Sequence, residues 1–125
     1  MFMSKKPLIL IVEDNETNQR LVATTLVKYG YQVMTASSAE EAFEKIDQQI
    51  PDLILMDLQL PGIDGLHLTK LLKQQASTKN IIIIALTAYA MKIDEEEALE
   101  AGCDGYISKP YDVMKLPALL GGFFK

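Results

Sequence analysis

Apolar residues in this chain gather into short unbroken runs, and several of those runs end on a polar residue capable of chemistry. Leu8, Ile9, Leu10, Ile11 and Val12 lead into Glu13 and Asp14, and Leu53, Ile54, Leu55 and Met56 lead into Asp57. The run 81–86 leads into Thr87, and Tyr106, Ile107 and Ser108 lead into Lys109. Runs without alternation suit strands covered on both faces, as in a parallel sheet held between layers of helix. Parallel strands bring their C-terminal ends to one edge, where open α/β sheets bind ligands. One cleft is therefore expected to hold Glu13, Asp14, Asp57, Thr87 and Lys109, a set suited to a cation and a phosphoryl group.

Between the runs, apolar residues fall at helical spacing. Leu21, Val22, Thr25 and Leu26 mark a helix over 15–29, closed by Gly30, and a strand over 31–36 follows. Ser38 and Glu41 form a capping-box pattern ahead of the stripe Ala39, Ala42, Phe43 and Ile46. Pro51 is expected to stop that helix and open the third strand. After Asp57 the segment 60–65 is dense in turn formers, and Leu68, Leu71 and Leu72 line the next helix. A helix over 90–101 is closed by Gly102, and the fifth strand covers 105–108. The last helix should begin at Leu116, since Pro117 suits a first turn, with 112–115 a looser turn. Five strands alternating with five helices by right-handed crossovers make a three-layer α/β sandwich.

Composition narrows the function. A chain of 125 residues, 49% hydrophobic, fits one domain, 1–125, with its core over about 7–120. Its output is then expected from its own surface. A net charge of −5 argues against nucleic acid, which demands a basic face. Cys103 is the only cysteine, so neither an internal disulfide nor a thiolate zinc site can form, and a cytoplasmic, reducing location fits best. No stretch approaches the roughly 18 apolar residues of a membrane span, and the first residues lack the apolar core of a signal peptide.

Paired carboxylates at a loop supply the oxygen ligands that a hard divalent cation such as magnesium prefers. Helix capping would account for one acidic residue at Glu13 or Asp14, but not for two with a third carboxylate, Asp57, ending another strand. Asp57 could cap a turn. As a nucleophile it would accept a phosphoryl group, with the cation, the Thr87 hydroxyl and the Lys109 ammonium neutralising the equatorial oxygens. No P-loop pattern is present.

Glu13-Asp14, Asp57, Thr87-Ala88, Tyr106 and Lys109-Pro110, each in its place along the alternation, resemble the receiver domain of bacterial two-component response regulators. In motif style the chain is similar to single-domain regulators of the DivK type and to the receivers of hybrid kinases. The resemblance implies a CheY-like, flavodoxin-like (βα)5 sandwich with strand order 2-1-3-4-5. It implies that Asp57 is the phosphoacceptor, that Asp14, Asp57 and the carbonyl of Gln59 ligate Mg2+, and that Glu13 assists through water. Thr87 would bond the phosphoryl oxygen, Lys109 would pair with it, and Tyr106 would turn inward as Thr87 moves. The peptide before Pro110 would be cis. Implied partners are a histidine kinase or histidine phosphotransfer protein as donor and a downstream target protein, with neither nucleic acid nor membrane. The target face would comprise the 90–101 helix, the Tyr106 strand and the final helix. Such a domain is a phosphoacceptor switch that assists its own phosphotransfer and dephosphorylation, not an enzyme acting on other substrates.

Two other functions compete. A phosphatase of the haloacid dehalogenase type resembles a pattern with a second aspartate two residues after the nucleophile, where this chain has Gln59. A receiver-like scaffold indifferent to phosphorylation predicts a broken acidic pocket, whereas these acids are intact. Gln59 and Tyr89 are expected to rim the path of an attacking water and give slow self-dephosphorylation. The remaining conspicuous residues have plainer roles: His67 as a solvated surface residue, Cys103 and the six methionines as packing, and the acidic run 94–97 as favourable charge early in its helix. Phe123 and Phe124 either form an exposed patch or fold back on the last helix.

Overall fold

The computed structural model describes residues 6–58, 65–87, 92–108 and 111–124. Among them β1 (Leu8–Val12), β2 (Gln32–Ala36), β3 (Leu53–Asp57), β4 (Ile82–Thr87) and β5 (Gly105–Ser108) alternate with α1 (Glu16–Lys28), α2 (Ala39–Gln48), α3 (Gly65–Gln74), α4 (Lys92–Ala101) and α5 (Leu116–Gly121). All pairings are parallel and the order is β2-β1-β3-β4-β5, the expected doubly wound sheet.

Side chains alternate across a strand, so an unbroken apolar run serves two cores at once. Leu10, Val12, Ile54, Met56, Ile83 and Ala85 pack on one face against Ala42, Ile46, Leu68, Leu72 and Ala98 of α2, α3 and α4. Ile9, Ile11, Leu53, Leu55, Ile84 and Leu86 pack on the other against Val22 and Leu26 of α1 and Leu116 and Leu120 of α5. β1 and β3, flanked on both sides, are buried throughout. β2 and β5, at the sheet edges, are mostly half-buried.

The helix ends follow the expected chemistry with small corrections. Asn15 caps α1 by accepting from Asn18 N at 2.9 Å. Ser38 caps α2 through Glu41 N, while the Glu41 carboxylate reaches back one residue further than a capping box requires, to Ser37 N. Gly30 and Gly102 follow α1 and α4 with φ of +95° and +111°, a region open to glycine at little cost. α2 ends at Gln48, so Pro51 lies in the connection and does not itself stop the helix. Asp112 caps a single 3-10 turn, Val113–Lys115, and α5 then begins at Leu116 with Pro117 in its first turn.

Leu21, expected in the buried stripe of α1, is 53% exposed. Consecutive helical residues are about 100° apart, and the sheet takes Val22, Thr25 and Leu26 instead. Met114 is likewise exposed and does not pack, whereas Met56 and Cys103 are buried. His67 is exposed, as expected. Phe123 and Phe124 fold back: Phe124 lies with its ring centroid 6.1 Å from that of Tyr31, and Phe123 packs over Gly105. A β-carbon at Gly105 would stand 3.2 Å from both Phe123 and Ile84, so the bare backbone there makes room for the ring. No helix among the described residues is long and apolar enough to cross a membrane.

Candidate metal and phosphoacceptor site

Register determines which strand ends meet. Val12 pairs with Met56, so Glu13 and Asp57 continue adjacent strands at the same edge. One carboxylate oxygen from each of Glu13, Asp14 and Asp57 can be chosen so that all lie within 4.8 Å of one another. Glu13 and Asp57 are almost wholly buried, at 3% and 2% exposure, and Asp14 is exposed. Capping explains neither of the first two acids, because Asn15 performs it.

The backbone around these acids is held on both sides. Glu13 N donates to Ala36 O at 3.0 Å, extending the β1–β2 ladder one residue beyond the strand. Leu58 N donates to Leu86 O at 3.0 Å and does the same for β3–β4, holding the chain to β4 directly after Asp57. α3 begins hard against this end of β3: a β-carbon on Gly65 would stand 2.6 Å from Asp57 O and 3.0 Å from Leu58 Cα. Only a residue without a side chain allows that approach.

Thr87 ends β4, one residue beyond Leu86, the register partner of Asp57, and is 2% exposed. Its own partner on β5 is Ser108, and Tyr106 lies two residues earlier, half-buried against the core on the α3 side. The structure thus brings Glu13, Asp14, Asp57 and Thr87 to one edge and puts Tyr106 on the adjoining strand. Lys109, Pro110, Gln59 and Tyr89 lie outside the described residues.

Three crowded carboxylates repel one another, and a hard cation with oxygen ligands relieves that repulsion. The donor set, all carboxylate and partly solvent-facing, fits magnesium. Two contributors were not apparent from sequence. Gly65 looked like one turn former among several. Gln19, a polar residue of α1, reaches the loops of β1 and β2, a contact across 17 residues for which the sequence carries no signal.

Residues 9–120 match the family described as the response regulator receiver domain. The polar-differentiation response regulator DivK of Brucella ovis is 46% identical over 105 residues, covering 84% of this chain and 85% of the relative. A chemotaxis response regulator of Vibrio cholerae superposes with a TM-score of 0.88 at 27% identity, over 94% of this chain and 98% of that one. The receiver domain of a sensor histidine kinase of Pseudomonas aeruginosa, solved with a magnesium ion coordinated in its active-site cleft, gives 0.84 at 36% identity, over 94% and 96%. Strand order, acidic edge and sequence agree, and the chain belongs to the response regulator receiver domain family.

Proposed function

We propose that Asp57 accepts a phosphoryl group from a phosphohistidine donor, and that the modified domain then presents a changed surface to a target protein. The observation that carries this reading is the meeting of Glu13, Asp14 and Asp57 oxygens within 4.8 Å where β1 and β3 end side by side. In the transfer, an Asp57 oxygen forms the new bond to phosphorus while the P–N bond breaks and its electron pair returns to the donor imidazole. A histidine kinase or a histidine phosphotransfer protein supplies that donor in the cytoplasm.

Asp14, Asp57 and the Gln59 carbonyl would hold Mg2+, with Glu13 acting through water; the relative with magnesium in its cleft supports this assignment. The bound cation would supply charge neutralisation for the equatorial oxygens. Burial of Asp57 limits competing water around the nucleophile, and the flanking backbone hydrogen bonds fix its direction of attack. Thr87 would donate its hydroxyl proton to a phosphoryl oxygen and Lys109 would pair with another. Movement of Thr87 would be transmitted to Tyr106 through the β4–β5 pairing. The same groups would assist hydrolysis of the acyl phosphate, at a rate governed by Gln59 and Tyr89.

The test is incubation with magnesium and acetyl phosphate followed by intact mass. Gain of one phosphoryl group in the wild type and none in Asp57→Asn is expected. Equal gain in Asp57→Asn would refute the assignment, and rapid turnover of unrelated phosphoesters would favour a phosphatase.

A further inference from the structure

A side chain of α1, Gln19, joins the acidic loop after β1 to the end of β2. Gln19, half-buried in the second turn of α1, donates from Nε2 to Glu13 O at 3.0 Å and to Ala36 O at 3.2 Å, with Ser37 Oγ at 3.4 Å. Nε2 carries two hydrogens, and the two shorter contacts use them. Ala36 O also accepts from Glu13 N, so the Glu13 peptide is held at both ends: its N–H by Ala36 and its carbonyl by Gln19. The Gln19 amide thus acts as an extra rung, closing the β1–β2 ladder just beyond its last backbone bond, Glu13 N to Ala36 O.

We infer that Gln19 is a positioning residue for the cation pocket: by fixing the Glu13 peptide it orders Glu13 and Asp14 before the ion arrives. The inference rests on the assignment of this pocket to a divalent cation. Three like charges must be kept together in the resting protein, and their repulsion is relieved most simply by the loop swinging outward. α1 cannot prevent this through its own backbone, because its N-terminal cap is Asn15, beyond the acids. Gln19 acts across the gap instead, since one amide engages the loop that carries the acids and the end of β2 together. Supporting groups of this kind lower the cost of organising a metal site, and their loss weakens binding without removing a ligand.

The experiment is titration calorimetry of the unphosphorylated full chain with magnesium chloride, comparing wild type, Gln19→Met and Ser37→Ala. Met has nearly the length and helix propensity of Gln but no donor. Gln19→Met should weaken magnesium binding by roughly 10-fold, the low end of what supporting partners contribute, and Ser37→Ala should change it by less than about twofold. Amide spectra recorded well below the unfolding midpoint establish that each protein is fully folded, so lost stability alone does not move the constant. In those spectra the metal-free Gln19→Met protein should show shifted, broadened Glu13 and Asp14 amides. An unchanged constant in Gln19→Met, with magnesium binding in the wild type, would overturn this inference alone. No magnesium binding by the wild type would overturn the cation assignment together with it.

Discussion

Val12 and Met56 stand opposite each other in adjacent parallel strands, and the residues after them, Glu13 and Asp57, are thereby placed together at one sheet edge. The 43 residues between these acids in sequence are spanned by the register of β1 on β3, which makes the two neighbours, and the site's charge follows from that pairing.

Asp14→Ala should abolish magnesium binding and phosphoryl uptake while leaving the metal-free fold intact. Asp14 is exposed and sits among like charges, so its removal relieves repulsion and leaves no cavity. Thermal unfolding in chelator should occur no lower than for wild type, and the stabilisation that magnesium gives the wild type should vanish. Equal phosphorylation with and without chelator would contradict this.

Gly65→Ala should destabilise the domain by about 1–3 kcal/mol, because its β-carbon would press on the backbone of Asp57 and Leu58. Since Asp57 is the residue displaced, magnesium affinity should fall as well. Urea unfolding and calorimetry on one preparation measure both effects.

Thr87→Ala should still take up phosphoryl from acetyl phosphate but fail to transmit it. Thr87 is register partner to Ser108 on the strand that carries Tyr106, so the coupling runs along that pair. A beryllofluoride phosphoryl mimic should shift β5 and α5 amide resonances in wild type and leave them nearly unmoved in the variant. Shifts like wild type would refute the coupling.

Burial pushes the Cys103 thiol up to about 11, from an ordinary value of 9.0. The folded state therefore holds this proton after the unfolded state has lost it. Stability associated with the neutral thiol is complete below pH 9 and declines as pH rises toward 11. Cys103→Ala should flatten that decline by on the order of 1 kcal/mol in urea unfolding across the same range. At neutral pH the thiol should react slowly with disulfide reagents until the protein is unfolded, since it is buried and protonated.

The opposed cores make Leu55→Ala a test of packing alone. Leu55 is fully buried in the α1–α5 side of the sheet, and its truncation should cost about 2–5 kcal/mol. Phosphoryl uptake should persist wherever the variant remains folded, which separates core from site.

The alternation of strands and helices, and the residues that end the strands, are legible in the pattern of apolar and polar positions alone. Unbroken apolar runs such as Leu53 to Met56 admit few other placements, and parallel strands oblige Glu13, Asp57 and Thr87 to share an edge. Local chemistry was legible for the same reason: Ser38, Gly30, Gly102 and Pro117 act on backbone within a few residues of themselves. Other features depend on approach between distant segments and exist only in the folded chain. That Leu21 faces solvent while Val22 faces the sheet depends on the rotation of α1 as it docks, and Phe123 settles on Gly105 because a bare backbone leaves room there. The bond from Gln19 to the Glu13 and Ala36 carbonyls joins three segments whose proximity exists only after β1 and β2 have paired. A hydrogen bond of that kind has no period and no spacing to announce it; it is specified by where the folded chain brings its donor.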